Sequence, residues 1–221
     1  MRDTAGRKLA YPFLGGLDHP RPQLVDIDGD GDLDLFVQEY TGRMMFFENT
    51  GTRSAPRYEW RTDRYQDLDI GEWSRFVDVN GDNVPDLVSE SPYSYLRIFR
   101  NAGTAKAARF ELAVDTLRDA GGTPIFSDRQ NIPQVVDVDC DGKLDLLLGR
   151  ASGLVTHYRE AGRAAGMPDF TFVTDSFQGI QIIGQQFGAP GLTPPTRHGA
   201  NTMIVADLDQ DGDPDVLWGD Y

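Results

Sequence analysis

Four short segments of the chain are crowded with carboxylates in one shared arrangement. Each has Asp or Asn at relative positions 1, 3 and 5 and Asp at position 9. We number them loop one (residues 26–34), loop two (78–86), loop three (137–145) and loop four (207–215), and together they contain 17 of the 35 acidic residues. Carboxylates this close together repel one another unless a cation lies among them. Several hard oxygen ligands in a flexible shell suit calcium better than magnesium.

The expected ligands follow from analogy with known calcium-binding loops. Side chains at positions 1, 3, 5 and 9 and the backbone carbonyl at position 7 would surround the ion. The predicted ligands are Asp26, Asp28, Asp30, Asp32 and Asp34 in loop one; Asp78, Asn80, Asp82, Val84 and Asp86 in loop two; Asp137, Asp139, Asp141, Lys143 and Asp145 in loop three; and Asp207, Asp209, Asp211, Asp213 and Asp215 in loop four. The sequence thus predicts up to four Ca²⁺ sites, and no His or Cys set predicts zinc or copper.

Loop two is predicted to bind calcium most weakly. Asn80 replaces one carboxylate, and Asn83 stands at position 6, where the other loops have glycine. Asparagine tolerates the left-handed backbone conformation, so the turn is expected to survive.

Two alternatives to these calcium loops can be weighed. An EF-hand needs a bidentate Glu at position 12 and flanking helices. The residues at position 12 are Val37, Ser89, Leu148 and Trp218, which fit strands better. The other alternative is a set of Asp-rich turns without metal, and four such turns in register argue against it.

Two further markers recur at fixed distances from each of the first three loops. A triplet ending in Gly begins 23 residues after the first Asp, and an aromatic residue follows that Asp by 32 or 33 residues. The triplets are Asn49-Thr50-Gly51, Asn101-Ala102-Gly103 and Glu160-Ala161-Gly162, and the aromatic residues are Tyr58, Phe110 and Phe170. The connections to the next unit vary over 20, 27 and 37 residues. Constant modules joined by variable connections are typical of stacked supersecondary units.

Each constant unit has the pattern of four short antiparallel β-strands. Short apolar runs lead into and out of each acidic loop, as buried strands do. A third strand is predicted over residues 44–48, 96–100 or 155–159, and a fourth begins at the aromatic marker. Four such strands form one blade of a β-propeller, so the predicted fold class is all-β with no helix of useful length. A β-sandwich is the alternative, which the fixed four-strand repeat disfavours.

These features resemble the FG-GAP and VCBS-type repeats, which form the blades of integrin alpha-subunit-like β-propellers. The resemblance extends from about residue 22 to residue 219. It depends on the four loops, the strands after them and the segment Phe46-Phe47-Glu48-Asn49-Thr50-Gly51. It implies that calcium is mainly structural and lies between the first two strands of a blade. It also implies a secreted, periplasmic or cell-surface protein that serves adhesion or accompanies carbohydrate-active or other catalytic domains.

The number of units is smaller than the resemblance implies. Such propellers usually close with about seven blades, whereas three full units and part of a fourth begin near residues 22, 74, 133 and 203. Residues 1–21 are predicted to be an inter-blade connection or the end of a preceding blade, because Phe13 precedes Asp26 by the distance at which Tyr65 precedes Asp78. We therefore expect a fragment of a larger propeller.

The acidic composition argues against several classes of function. The formal net charge is −14 and the isoelectric point is about 4.5, which disfavours nucleic acid and anionic lipid as partners. No apolar run approaches the roughly 20 residues of a membrane span, and residues 1–8 show no apolar signal-peptide core. A single cysteine, Cys140, cannot form an intrachain disulfide. Four bound calcium ions would change the formal net charge to −6.

The residues outside the loops do not predict a catalytic centre. A glycosidase acid needs a raised pKa, whereas calcium would keep the loop carboxylates ionised. We expect solvated positions for Glu39, Glu48, Glu90 and Glu111, and structural or surface positions for His19, His157 and His198. Cys140 occupies the variable position 4 of loop three, so we expect an exposed thiol and not a nucleophile.

The sequence therefore favours a non-enzymatic interaction or adhesion scaffold outside the cytoplasm, with an unknown protein or glycan as its ligand. The alternative is the propeller part of a secreted polysaccharide-degrading enzyme. The longest connection, residues 175–203, is the first place to expect a partner or glycan surface, with Trp60 or Trp73 contributing. A plain packing insertion is the competing interpretation of that connection.

Overall fold

The computed structural model describes residues 4–6, 16, 17, 19–39, 41–128, 131–181 and 202–219. Regular structure in these ranges is almost entirely β, and the two 3-10 turns have three residues each. The strands are β1 (Arg21–Val25), β2 (Asp34–Gln38), β3 (Met44–Asn49), β4 (Tyr58–Thr62), β5 (Ser74–Val77), β6 (Asp86–Ser91), β7 (Tyr95–Asn101), β8 (Phe110–Val114), β9 (Gln134–Val136), β10 (Asp145–Gly149), β11 (Val155–Ala164), β12 (Met167–Thr174), β13 (Thr202–Ala206) and β14 (Asp215–Gly219). Neither 3-10 turn, Tyr65–Asp67 or Phe177–Gly179, has the length or apolar content of a membrane-spanning helix.

The strands form a series of antiparallel sheets in chain order. β1–β4, β5–β8 and β9–β12 make three four-stranded sheets, and β13 pairs with β14. The first strands contact one another in sequence, β1 with β5, β5 with β9 and β9 with β13. Sheets that meet through their first strands are arranged as propeller blades, with those strands innermost. The predicted all-β propeller blade of four strands is confirmed.

The hydrophobic core is divided into layers between successive blades. Blades one and two enclose Ile27, Phe36, Met44, Ile70, Leu87, Phe99 and Phe110. Blades two and three enclose a larger cluster that includes Trp73, Val88, Ile98, Leu146 and Phe170, and blades three and four share Leu147, Val155, Phe177 and Met203. Because each layer takes residues from two sheets, burial of apolar surface holds neighbouring blades together.

The Asn-x-Gly triplets form tight hairpin turns in blades one and two. The Oδ1 atom of Asn49 accepts hydrogen bonds from the backbone N–H groups of Gly51 (3.0 Å) and Arg57 (2.8 Å), and Asn101 makes the same pair of bonds. A Cβ atom on Gly51 would lie 2.3 Å from the carbonyl oxygen of Ala55. The triplet therefore needs Asn as the acceptor and Gly for the close backbone approach.

Blade three departs from the predicted strand boundaries. β11 continues to Ala164, well beyond the predicted end at 159, and β12 begins at Met167 instead of Phe170. Glu160-Ala161-Gly162 therefore lies inside β11, at an irregularity of the β11–β12 register, and the turn is made by Ala165 (φ 51°) and Gly166 (φ 83°). Glutamate cannot form the short side-chain turn that Asn49 forms, so the hairpin extends.

Candidate metal centres

Each acidic loop joins the first and second strands of its blade, between β1 and β2, β5 and β6, β9 and β10, and β13 and β14. The residue at position 9 is also the first residue of the second strand, and these residues are Asp34, Asp86, Asp145 and Asp215. The sheet therefore fixes the end of the loop, while the other predicted ligands lie on irregular backbone.

The aspartate at position 1 organises the turn of each loop. In loop one, Asp26 accepts hydrogen bonds from the backbone N–H groups of Gly29 (2.7 Å) and Gly31 (3.0 Å). Asp78, Asp137 and Asp207 accept equivalent bonds from the N–H groups at position 6 of loops two, three and four, at 2.8, 2.8 and 3.1 Å. The carboxylate thus gathers N–H groups that would otherwise face solvent.

Two residues in each loop take the left-handed backbone conformation, at positions 4 and 6. At position 6, Asn83 has φ 64°, which confirms that Asn can replace glycine there. At position 4, Cys140 has φ 57° and Gln210 has φ 65°, where loops one and two have glycine. The four loops therefore share one backbone path despite different residues.

The aspartate at position 9 ties the loop to the blade. Asp34, Asp86 and Asp145 are 2%, 0% and 1% exposed. In all four loops this aspartate accepts a hydrogen bond from the N–H at position 2, at 3.0 to 3.4 Å. In loops one and two its other oxygen accepts the N–H of the triplet Asn, Asn49 or Asn101, at 2.7 Å.

The carboxylates of three loops converge. Oxygen atoms of Asp26, Asp28 and Asp30, of Asp137, Asp139 and Asp145, and of Asp207, Asp209 and Asp215 lie within 4.8 Å of one another in each group. Such groups can hold a metal ion. In loop two the position 3 residue is Asn80, whose Oδ1 accepts the N–H of Asp82 at 2.9 Å. The position 7 carbonyls of Asp32, Val84, Lys143 and Asp213 stay predicted ligands.

The electrostatics of loops one and two favour a bound cation. Burial, reinforced by the charges of Asp28 and Asp30, raises the pKa of Asp34 to about 6 against the hydrogen bonds that oppose it. Burial likewise raises the pKa of Asp28 and of Asp86. A cation among these groups would lower their pKa values. The converging oxygen donors of Asp26, Asp28 and Asp30 therefore fit a hard divalent ion.

Blade three brings cationic side chains to the loops, which the sequence analysis missed. Arg159 on β11 forms an ion pair with Asp139 at position 3 of loop three, and its Nε atom lies 3.8 Å from Oδ1 of Asp145. Arg163 donates a hydrogen bond of 3.0 Å to the carbonyl of Val79 in loop two. Both contacts join residues distant in sequence, so only the strand register of β11 reveals them.

In loop three, the His157 side chain takes the place of the backbone N–H that contacts the position 9 aspartate in loops one and two. Its Nε2 atom lies 2.6 Å from Oδ1 of Asp145, the oxygen that meets the triplet Asn in loops one and two. The ring is 5% exposed and packs edge-on against Phe177. The structural position expected for His157 is confirmed.

Other predicted positions divide into confirmed and corrected ones. Cys140 and Glu111 are exposed, as expected. The solvated positions predicted for Glu39, Glu48 and Glu90 were wrong, because all three are half-buried, and the Glu90 carboxylate accepts the N–H of Glu72 at 2.5 Å. Trp73 was wrongly assigned to a binding surface, since it is 2% exposed and packs in the layer between blades two and three.

Some predictions fall outside the described residues. Phe13 and His198 are among them, as is most of the longest connection, from residue 182 to residue 201. The start of that connection forms the 3-10 turn Phe177–Gly179, where Phe177 is buried.

Comparison with known protein families supports this description of the repeats. A family model described as FG-GAP-like repeat matches residues 26–89 and again residues 78–148. Both matches begin at the first Asp of a loop, and together they cover more than half of the chain. No curated protein matches the sequence. The chain therefore belongs to the FG-GAP-like repeat family.

Proposed function

We propose that this protein is a calcium-binding β-propeller module whose metal sites are structural. The observation that carries the proposal is the repetition of one loop four times, with the same left-handed positions and the same hydrogen bonds from positions 1 and 9. At least four carboxylates within nine residues, as in loops one, three and four, repel one another unless a cation lies among them. Oxygen-only ligands on irregular backbone suit calcium.

The loops are placed where an ion can stabilise the packing between blades. Position 2 of loops one and two, Ile27 and Val79, is 4% and 0% exposed and lies in the layers between blades. An ion bound at positions 1, 3 and 5 would fix the backbone on both sides of the buried residue at position 2. If free calcium were about ten times Kd, each site would add about 1.4 kcal/mol, and four independent sites roughly 5 kcal/mol, similar to the stability of a whole domain.

Removal of calcium tests the structural role. We expect EDTA to lower the melting temperature by about 10–20 °C relative to millimolar calcium, because roughly 5 kcal/mol corresponds to a shift of that size in a chain of this length. Excess calcium should restore the transition, and the same concentration of magnesium should restore it only in part. An unchanged melting temperature in EDTA would contradict structural calcium.

The wider role is that of an extracellular interaction or adhesion scaffold without catalytic activity of its own. Loop carboxylates at the surface suit a compartment where calcium is abundant, since extracellular modules bind it with Kd values of about 10⁻⁴ to 10⁻³ M. Incubation with a panel of polysaccharides tests the catalytic alternative: turnover by the purified chain would contradict the scaffold, whereas calcium-dependent capture of a protein or glycan without turnover would support it.

A further inference from the structure

In loop three, a positively charged side chain lies next to the carboxylates that would bind the proposed calcium ion. The guanidinium of Arg159 pairs with the Asp139 carboxylate, and its Nε atom is 3.8 Å from Oδ1 of Asp145. Asp137, Asp139 and Asp145 are the three residues whose oxygens converge in this loop. The guanidinium therefore contacts one member of the converging group directly and approaches a second.

The other loops provide the comparison. Loop four has Asp at positions 1, 3, 5 and 9, as loop three does. In blade one, the residue equivalent to Arg159 is Glu48, which also directly precedes the triplet but carries a negative charge and pairs with Arg61. In blade two the equivalent residue is Arg100, but position 3 of loop two is Asn80, so among the first three loops only loop three combines an arginine at this place with a carboxylate at position 3.

We propose that Arg159 is a resident counter-ion of loop three, which competes with calcium for its carboxylates. This inference rests on the proposed calcium function. Loop three then binds calcium more weakly than it would without Arg159, and it keeps its conformation better than loop one when calcium is scarce. Blade three would in that case remain ordered at calcium concentrations that leave loop one empty.

The surroundings of Arg159 allow it to give way to an ion. Its side chain is 46% exposed and that of Asp139 is 39% exposed, so the pair is accessible to solvent. Both residues line a cleft of about 290 Å³, together with His157, Thr174 and Phe177. The cleft gives the guanidinium space to turn away from Asp139, while His157 keeps its contact with Asp145.

The test is a calcium titration by calorimetry of the full chain, comparing wild type with Arg159→Gln. We expect one site of the variant to bind about fivefold more tightly, the upper end of what an exposed ion pair contributes. In EDTA the same variant should melt about 2–4 °C lower, because the resident cation has been lost. Opposite effects with and without calcium are the signature of competition.

Two comparisons assign the effect to loop three. In an Asp139→Asn background, Arg159→Gln should change calcium binding less than in wild type, since only the approach of Arg159 to Asp145 remains. Arg57→Gln is the matched control for net charge, because Arg57 is an exposed arginine that pairs with Glu59 and not with a loop carboxylate. It should leave both the titration and the melting temperature in EDTA near those of wild type.

The outcomes separate this inference from the proposed function. Calcium binding that is identical in wild type and Arg159→Gln would overturn the inference and leave structural calcium in place. An equal gain in affinity from Arg57→Gln would also overturn it, because the effect would then be one of net charge. If none of the proteins binds calcium, both the inference and the proposed function fail.

Discussion

At the scale of single residues, the aspartates of one loop have different roles. Asp86 at position 9 is fully buried and accepts the backbone N–H groups of Val79 (3.2 Å) and Asn101 (2.7 Å). Asp82 at position 5 is exposed and accepts the N–H of Val84 at 3.0 Å. Asp86 therefore stabilises the blade as well as being a predicted metal ligand, whereas Asp82 contributes to the loop alone.

This difference predicts unequal effects of two substitutions in metal-free protein. In EDTA, Asp86→Ala should lower the free energy of unfolding by about 2–4 kcal/mol, because it leaves two buried N–H groups without an acceptor. Asp82→Ala in the same loop is the control and should cost less than about 1 kcal/mol. Urea denaturation measures both, and equal losses would show that position 9 has no role beyond the ion.

A second prediction at this scale concerns the order in which the sites fill. Loop two has one carboxylate fewer, because Asn80 occupies position 3, so it should fill last as calcium is raised. The amide signal of Gly81, followed by NMR, reports that loop. In Asp28→Asn and Asp139→Asn, loops one and three receive the same Asn at position 3 and should shift towards the affinity of loop two. Filling of loop two before the others would contradict this order.

At the scale of elements, the hairpin between the third and fourth strands distinguishes the blades. Blades one and two use the tight turn around Asn49 and Asn101, whereas blade three has Glu160 in that place. Glu160 is buried, accepts the N–H of Leu144 at 3.1 Å and pairs with Arg163. The longer hairpin reaches loop two of the preceding blade through the Arg163 side chain, whereas the tight turn of blade two lies against Gly29 of loop one through the backbone of Ala105.

Three equivalent glycines allow a matched test of the hairpins. Gly51→Ala and Gly103→Ala should each destabilise the protein by about 1–3 kcal/mol, because a Cβ atom would lie 2.3 and 2.1 Å from the carbonyl oxygens of Ala55 and Ala107. Gly162→Ala, at the same place in the repeat, has no atom within 4 Å of the added Cβ and should be nearly neutral. Thermal melting compares all three, and similar losses at the three positions would contradict the structure of blade three.

Some of these elements could be predicted from the sequence, and others could not. The loops and the first two strands of each blade were predictable, because apolar runs such as those of β6 and β10 flank residues of fixed spacing. The extension of β11 was not, since Glu160 keeps the spacing of 23 residues while losing the side chain that closes the turn. The contact of Arg159 with Asp139 depends on strand register, and the burial of Trp73 depends on how two blades pack. Neither feature can be read from the spacing of residues within one blade.

At the scale of the whole molecule, negative charge lies next to buried apolar residues in loops one and two. Carboxylates occupy most odd positions of these loops, whereas position 2 places Ile27 and Val79 in the layers between blades. The formal charge of −14 is therefore concentrated next to the packing surfaces. Calcium would change it to −6 at those same places, which is why we expect its removal to weaken the packing of blades and not only the loops.

The division of the core between blades has a consequence for any attempt to redesign the chain. A single unit cut out at its loop and its fourth strand would carry half of two apolar layers and the whole of none, so it should not fold by itself. Pairs of adjacent units enclose at least one entire layer and are the smallest pieces worth expressing. Added sequence is best placed between the fourth strand of one unit and the first strand of the next, away from the buried side chains there such as Ile70, Trp73 and Ile125.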